Sequence, residues 1–151
     1  MSMPIAIIAG EPNSISSEII FKSWQLRKQY THKPLFIIGS VQLLTLQKKK
    51  LHYQIKIRKI DNSFKISDLK SNELPVYDID YKQKNSFEKI SNKSNKYILK
   101  CFNQAIILAK SKKILVLLIA QFLRNFYSKG KIKELQNSFQ KNLVRVEMKS
   151  C

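Results

Sequence analysis

The sequence predicts an α/β domain built on a largely parallel sheet. Three observations carry this reading. Short apolar runs of strand length alternate with segments of helical periodicity. The first two runs close on a glycine, Gly10 and Gly39. One long segment, Lys93 to Ser111, sets Tyr97, Ile98, Cys101, Phe102, Ala105, Ile106, Leu108 and Ala109 at helical spacing.

The elements follow in order. Pro4 to Ala9 reads as a strand, because Ile5, Ile7 and Ile8 make a fully apolar run. Gly10-Glu-Pro-Asn-Ser14 is a turn, and Asn13 or Ser14 can cap the next helix. That helix spans Ile15 to about Gln29, with Ile15, Ile19, Ile20 and Trp24 expected on its apolar face. Lys33 to Gly39 is the second strand. Ser40 caps a short helix whose apolar set is Val41, Leu43, Leu44 and Leu46. Tyr53 to Ile60 alternates strictly, which predicts a strand with one wet face. Leu74 to Ile79 is a further strand, residues 80–92 a polar loop, and Lys93 to Ser111 the long helix. Ile114 to Ala120 is another apolar strand candidate, and Phe126 to Ser150 has the character of a basic helix.

The chain has 151 residues, enough for one domain with a real core. Its apolar fraction is 44%, in the globular range. No apolar run is long enough to cross a membrane. The opening run lacks a basic leader and meets Glu11, so it reads as a buried strand of a cytoplasmic protein. Cys101 and Cys151 fit no metal-ligand spacing and read as unpaired thiols of a reducing compartment. The formal charge is +18, from 28 Lys and Arg against 10 Asp and Glu. Charge of that size suits a nucleic-acid binder. The lysines, however, are scattered, and arginine is confined to Arg27, Arg58, Arg124 and Arg145. Arginine is the residue favoured for bidentate phosphate and base contacts. AT-rich codons also enrich Lys, Asn and Ile without any selected partner. A solvated basic surface is the simpler account, with a basic nucleic-acid-binding or non-catalytic interaction protein as the alternative.

The first βα turn carries the most information. A turn after strand one of a parallel sheet lies at the carboxyl edge, where ligands bind. It holds one glycine, so it is neither a dinucleotide fingerprint nor a P-loop. The run Ile5-Ala-Ile-Ile-Ala-Gly10-Glu11-Pro12, with Ile15, Glu18 and Ile19, resembles the opening of the 4-hydroxythreonine-4-phosphate dehydrogenases. There the strand continues into Gly-(Asp/Glu)-Pro-Ala-Gly-Ile-Gly-Pro-Glu-Ile. Asn13, Ser14, Ser16 and Ser17 replace small and glycine positions of that pattern. Pro34 to Gly39 and Tyr97 to Ile106 are also family-like.

In frame, the resemblance covers about residues 4–113 and then stops. The family continues with Asn-x-Pro-Ile-(Ser/Asn)-Lys and a Gly-x-Thr-Glu motif, and neither follows here. Reading AT-rich codons one frame over restores them. Leu115 to Phe126 can give Gly-Leu-Ile-Asn-Cys-Pro-Ile-Ser-Lys-Lys-Phe, and Lys133 to Leu143 can give Gly-Ile-Thr-Glu-Phe-Leu-Ser-Lys-Lys-Phe. The expectation is a family-like α/β portion, 1–113, followed by an out-of-frame tail, 114–151.

The resemblance implies an isocitrate/isopropylmalate-dehydrogenase-like fold, of which this is an incomplete N-terminal portion. It implies a homodimer that oxidises and decarboxylates 4-phosphooxy-threonine, a small phosphorylated substrate of vitamin B6 synthesis, with NAD and a divalent metal. In the family three later histidines hold that metal. His32 and His52 match none of them, so no metal ligand and no catalytic residue is carried over. The substrate-side candidates reduce to Gly10, Glu11, Pro12 and Glu18. An inactive fragment of this enzyme is the expectation.

Overall fold

The computed structural model describes residues 3–111 and 114–117. Five strands form one sheet, in the order β3-β4-β2-β1-β5. They are β1 (Ile5–Ile8), β2 (Leu35–Gly39), β3 (Ile57–Ile60), β4 (Leu74–Asp78) and β5 (Leu115–Leu117). Every pairing is parallel. Three helices join them: α1 (Ser16–Tyr30), α2 (Val41–Lys50) and α3 (Asn95–Lys110). This is the α/β architecture expected from the alternation of apolar runs and helical segments.

Two apolar layers sandwich the sheet. On one face Ile7, Ala9, Leu35, Ile37 and Val76 pack against Ile20, Phe21 and Trp24 of α1 and Leu44 of α2. On the other, Ala6, Ile8, Phe36 and Ile38 pack against Tyr97, Ile98, Cys101, Phe102, Ala105 and Leu108 of α3. Central strand β2 is buried along its whole length. A parallel strand covered on both faces needs such a continuous apolar run. Pro75 is paired with Arg58 of β3, but the Leu74 N–H faces that strand, so the Pro75 nitrogen faces β2, where pairing begins only at Val76.

Three local expectations are revised. The core face of α1 is Ser16, Ser17, Ile20, Phe21 and Trp24. Ile15 and Ile19 are instead 54% and 37% exposed. The two serines are small enough to let the first turn lie close on the sheet, which rotates the isoleucines outward. The α1 N-cap position is Ile15, which makes no side-chain bond. Ser14, one residue earlier, accepts the Ser16 N–H at 3.1 Å, so it still serves the helix start. The strand expected over 53–60 is shorter, Ile57–Ile60. Its partner β4 starts only at Leu74, opposite Ile57, so beyond the Leu74 N–H bond to the Lys56 carbonyl at 2.7 Å residues 53–56 have no strand to pair with. By contrast Ser40 caps α2 as expected, its hydroxyl accepting the Leu43 N–H at 3.2 Å. Strand β5 lies beyond the junction assigned at Ile114 and pairs with β1. The helix expected over 126–150, and the rest of the apolar run after Leu117, fall outside the described residues.

Candidate functional site at the carboxyl edge of the sheet

The chain leaves β2 into α2 on one face of the sheet and leaves β4 toward α3 on the other. β2 and β4 are neighbours. Connections that leave neighbouring strands toward opposite faces mark the carboxyl edge at which ligands of open α/β sheets bind. The β1–α1 turn lies at the same edge.

Gly10 turns the chain there with φ of 72°, a left-handed conformation that glycine adopts without a side-chain penalty. Glu11 follows and is buried. Its carboxylate accepts the Asn13 N–H at 3.2 Å through Oε1 and the Ser94 hydroxyl at 2.9 Å through Oε2. Both oxygens are thus committed to the protein, and the turn is tied to the start of α3. Buried carboxylates are tolerated only with such partners. Pro12 is buried, and its carbonyl accepts the Gln47 side-chain amide from α2. Glu18 stands apart: it lies on the flank of α1 and pairs with Lys22 one turn on, at 2.9 Å. Gly10, Glu11 and Pro12 are therefore brought together, and Glu18 is not among them.

Several residues join this site without any motif to announce them. Asn13 Oδ1 accepts from the Gln83 amide at 2.9 Å and the Glu88 N–H at 2.8 Å. Gln47 also donates to the Ser86 carbonyl at 3.0 Å. Together they hold the 80–94 loop down over the carboxyl edge. Beneath it, Tyr97 is buried and its hydroxyl accepts the Ser40 N–H at 2.9 Å. Burial pushes the Tyr97 pKa well above the usual tyrosine value, which keeps the phenol neutral. Tyr81 stacks on it with ring centroids 4.6 Å apart. Asp78, at the end of β4, accepts the Val41 N–H at 3.0 Å and pairs with Lys59 at 2.9 Å. Gln47 is the clearest omission from the sequence reading. It follows Leu43 by one helical turn, a weak signal that it faces inward.

The space left beneath the turn is small. A void of about 10 Å³ is lined by Gly10, Glu11, Pro12, Ser17, Gln47 and Tyr97. That holds at most about one water. Ser17 Oγ is buried beside it without a hydrogen-bond partner among the described residues. A divalent metal needs several convergent donors. Among the described residues no group of three His, Cys, Asp or Glu side chains converges. His32 follows α1 at the opposite, amino edge of the sheet, and His52 sits in the turn after α2 with φ of 59°. The residues described here do not fit the metal that the family resemblance implies. No described helix is long and apolar enough to cross a membrane.

The geometry defines an open parallel α/β sheet with a turn and a loop folded over its carboxyl edge. No protein-family model and no curated protein matches the sequence. Solved structures do. A 4-hydroxythreonine-4-phosphate dehydrogenase from Burkholderia phymatum superposes with a TM-score of 0.65 at 20% identity, covering 82% of this chain and 39% of that one. A Salmonella typhimurium protein provisionally assigned to the same enzyme gives 0.64 at 21%, covering 87% and 42%. The enzyme from Klebsiella pneumoniae gives 0.53 at 18%, covering 82% and 39%. The chain thus has the isocitrate-dehydrogenase-like fold of part of these enzymes, and spans about two fifths of their length.

Proposed function

We propose that this chain is the N-terminal portion of a 4-hydroxythreonine-4-phosphate dehydrogenase whose reading frame was lost near Ile114. The observation that carries the reading is the coincidence of motif and fold. The Gly10-Glu11-Pro12 turn follows the first strand of a parallel sheet, and solved enzymes of that name share the fold over most of this chain. The complete enzyme would oxidise and decarboxylate 4-phosphooxy-threonine as a homodimer, using NAD and a divalent metal. NAD would supply the hydride chemistry and the metal would polarise the hydroxyl oxygen. No group of three His, Cys, Asp or Glu side chains able to hold the metal converges among the described residues. The role left to this chain is scaffolding: Glu11, Asn13 and Gln47 hold the carboxyl edge in shape. A polypeptide of these 151 residues is accordingly proposed to be catalytically silent.

The genomic DNA around codon 114 tests the frame, and a dehydrogenase assay tests the chemistry. The alternative frame should encode the Asn-x-Pro-Ile-Ser-Lys and Gly-x-Thr-Glu motifs without a stop. Joining the two frames should then create NAD reduction in the presence of 4-phosphooxy-threonine and a divalent metal, where the present chain gives background only. Stop codons or unrelated residues in that frame would end the proposal.

A further inference from the structure

A second feature lies at the amino edge of the sheet, opposite the motif turn, and is independent of the dehydrogenase reading. The residues after α1 and those leading into β2 and β4 enclose an open groove there. Its larger lobe, about 680 Å³, is lined by Arg27, Lys28, Lys33 and Lys70 and by no carboxylate. Thr31, His32 and Asn72 line the same lobe. A smaller lobe of about 430 Å³ shares Trp24, Arg27 and Asn72, and adds Lys56 and one carboxylate, Glu73.

Arg27 is the organising residue. Its guanidinium carbon lies 3.6 Å from the centre of the Trp24 ring, and its Nη1 donates to the Trp24 carbonyl at 2.6 Å. The planar fork is thereby fixed in place, with its other N–H groups uncommitted among the described residues. The ion pairs found there are Lys22–Glu18, Arg58–Asp68 and Lys59–Asp78. None of the four cations of the larger lobe takes part. We propose that this groove binds phosphoryl oxyanions, gripped by the Arg27 fork and neutralised by Lys28, Lys33 and Lys70. A fixed arginine loses little freedom on accepting an oxyanion in two parallel bonds. Partial burial lowers the Arg27 pKa, the mark of a desolvated cation without a counter-charge. The shared chemistry is a phosphate group, carried either by a small phosphate ester or by a nucleic-acid backbone.

Trp24 is the chain's one tryptophan, so its fluorescence reports on the groove directly. Pyrophosphate titrated into the full chain should change that emission saturably, with one site by calorimetry. Arg27→Ala should weaken binding by about tenfold or more, and the exposed pair Lys33→Ala with Lys70→Ala should weaken it several-fold. The pair keeps the test decisive should Arg27→Ala fail to fold. Lys96→Ala, at the opposite edge on α3, should bind as the parent does. A single-stranded oligonucleotide that displaces pyrophosphate and shares its Arg27 dependence supports the groove with a nucleic-acid backbone as source. Pyrophosphate binding that the oligonucleotide does not displace supports it with small phosphate esters as source. No saturable signal up to about 10 mM, or equal weakening by Lys96→Ala, overturns the proposal in favour of diffuse charge.

Discussion

Removing the Glu11 carboxylate asks whether the motif turn is a structural clamp. Glu11→Ala deletes two charge-assisted hydrogen bonds, to the Ser94 hydroxyl at 2.9 Å and the Asn13 N–H at 3.2 Å. Bonds to a charged group contribute roughly 1.5–3 kcal/mol each, offset by the cost of burying the carboxylate. The net loss expected is about 1–3 kcal/mol. Ser94→Ala removes the same 2.9 Å contact from the other side. That hydroxyl keeps a weaker option, the Ser91 carbonyl at 3.3 Å, so the residual penalty is small. A double-mutant cycle by urea denaturation should therefore return a coupling of about 1–2 kcal/mol. Glu11→Gln keeps one acceptor oxygen and should lose less than Glu11→Ala. Additivity within about 0.3 kcal/mol would refute the clamp, because uncoupled residues cannot be sharing that bond.

Three further outcomes follow from the same geometry. Gly39→Ala places a Cβ 2.7 Å from the Ala9 Cβ and 3.1 Å from the Tyr97 hydroxyl. It should cost about 1–3 kcal/mol in urea melts, and an unchanged midpoint would show that the strand ends can separate. Ser17→Ala should be neutral or stabilising by up to about 1 kcal/mol, since it removes a buried hydroxyl without a partner. A loss above about 1 kcal/mol would instead reveal a bound water or another acceptor. Burial pushes the Cys101 thiol from an ordinary value near 9 up to about 12. The folded state then holds that proton after the unfolded chain has released it. Stability should be intact below about pH 9 and fall by up to about 1.4 kcal/mol per pH unit between 9 and 12. Cys101→Ala should make that slope shallower in denaturation curves taken across the range, leaving the part that the buried Tyr97 phenol contributes above about pH 10.

Much of this domain was legible residue by residue. Apolar continuity is sufficient to identify β1, β2 and β4, because a strand buried on both faces tolerates little else. Helical spacing identified α3, whose buried set is nearly the predicted one. Ser40 was recognisable as a cap because its bond is local, to a residue three positions on. The Gly10-Glu11-Pro12 turn stood out as a motif at a ligand-binding edge. What that turn touches was not legible. Glu11 reaches Ser94, Asn13 reaches Glu88, and Gln47 reaches Pro12 and Ser86, each across dozens of residues. Those partners are set by which chain segments the sheet order brings together, and no local pattern encodes that order. The outward turn of Ile15 and Ile19 has the same origin: both faces of α1 offer apolar residues, and only contact with the sheet chooses between them. Sequence by itself determined most of the elements and singled out the first turn. Tertiary structure decided that Glu11 is a hydrogen-bond acceptor within the turn, and that Arg27, Lys28, Lys33 and Lys70, outside every ion pair among the described residues, gather at the opposite edge. Long-range packing assigns hydrogen-bond partners and exposure, and these separate a structural carboxylate from an available one.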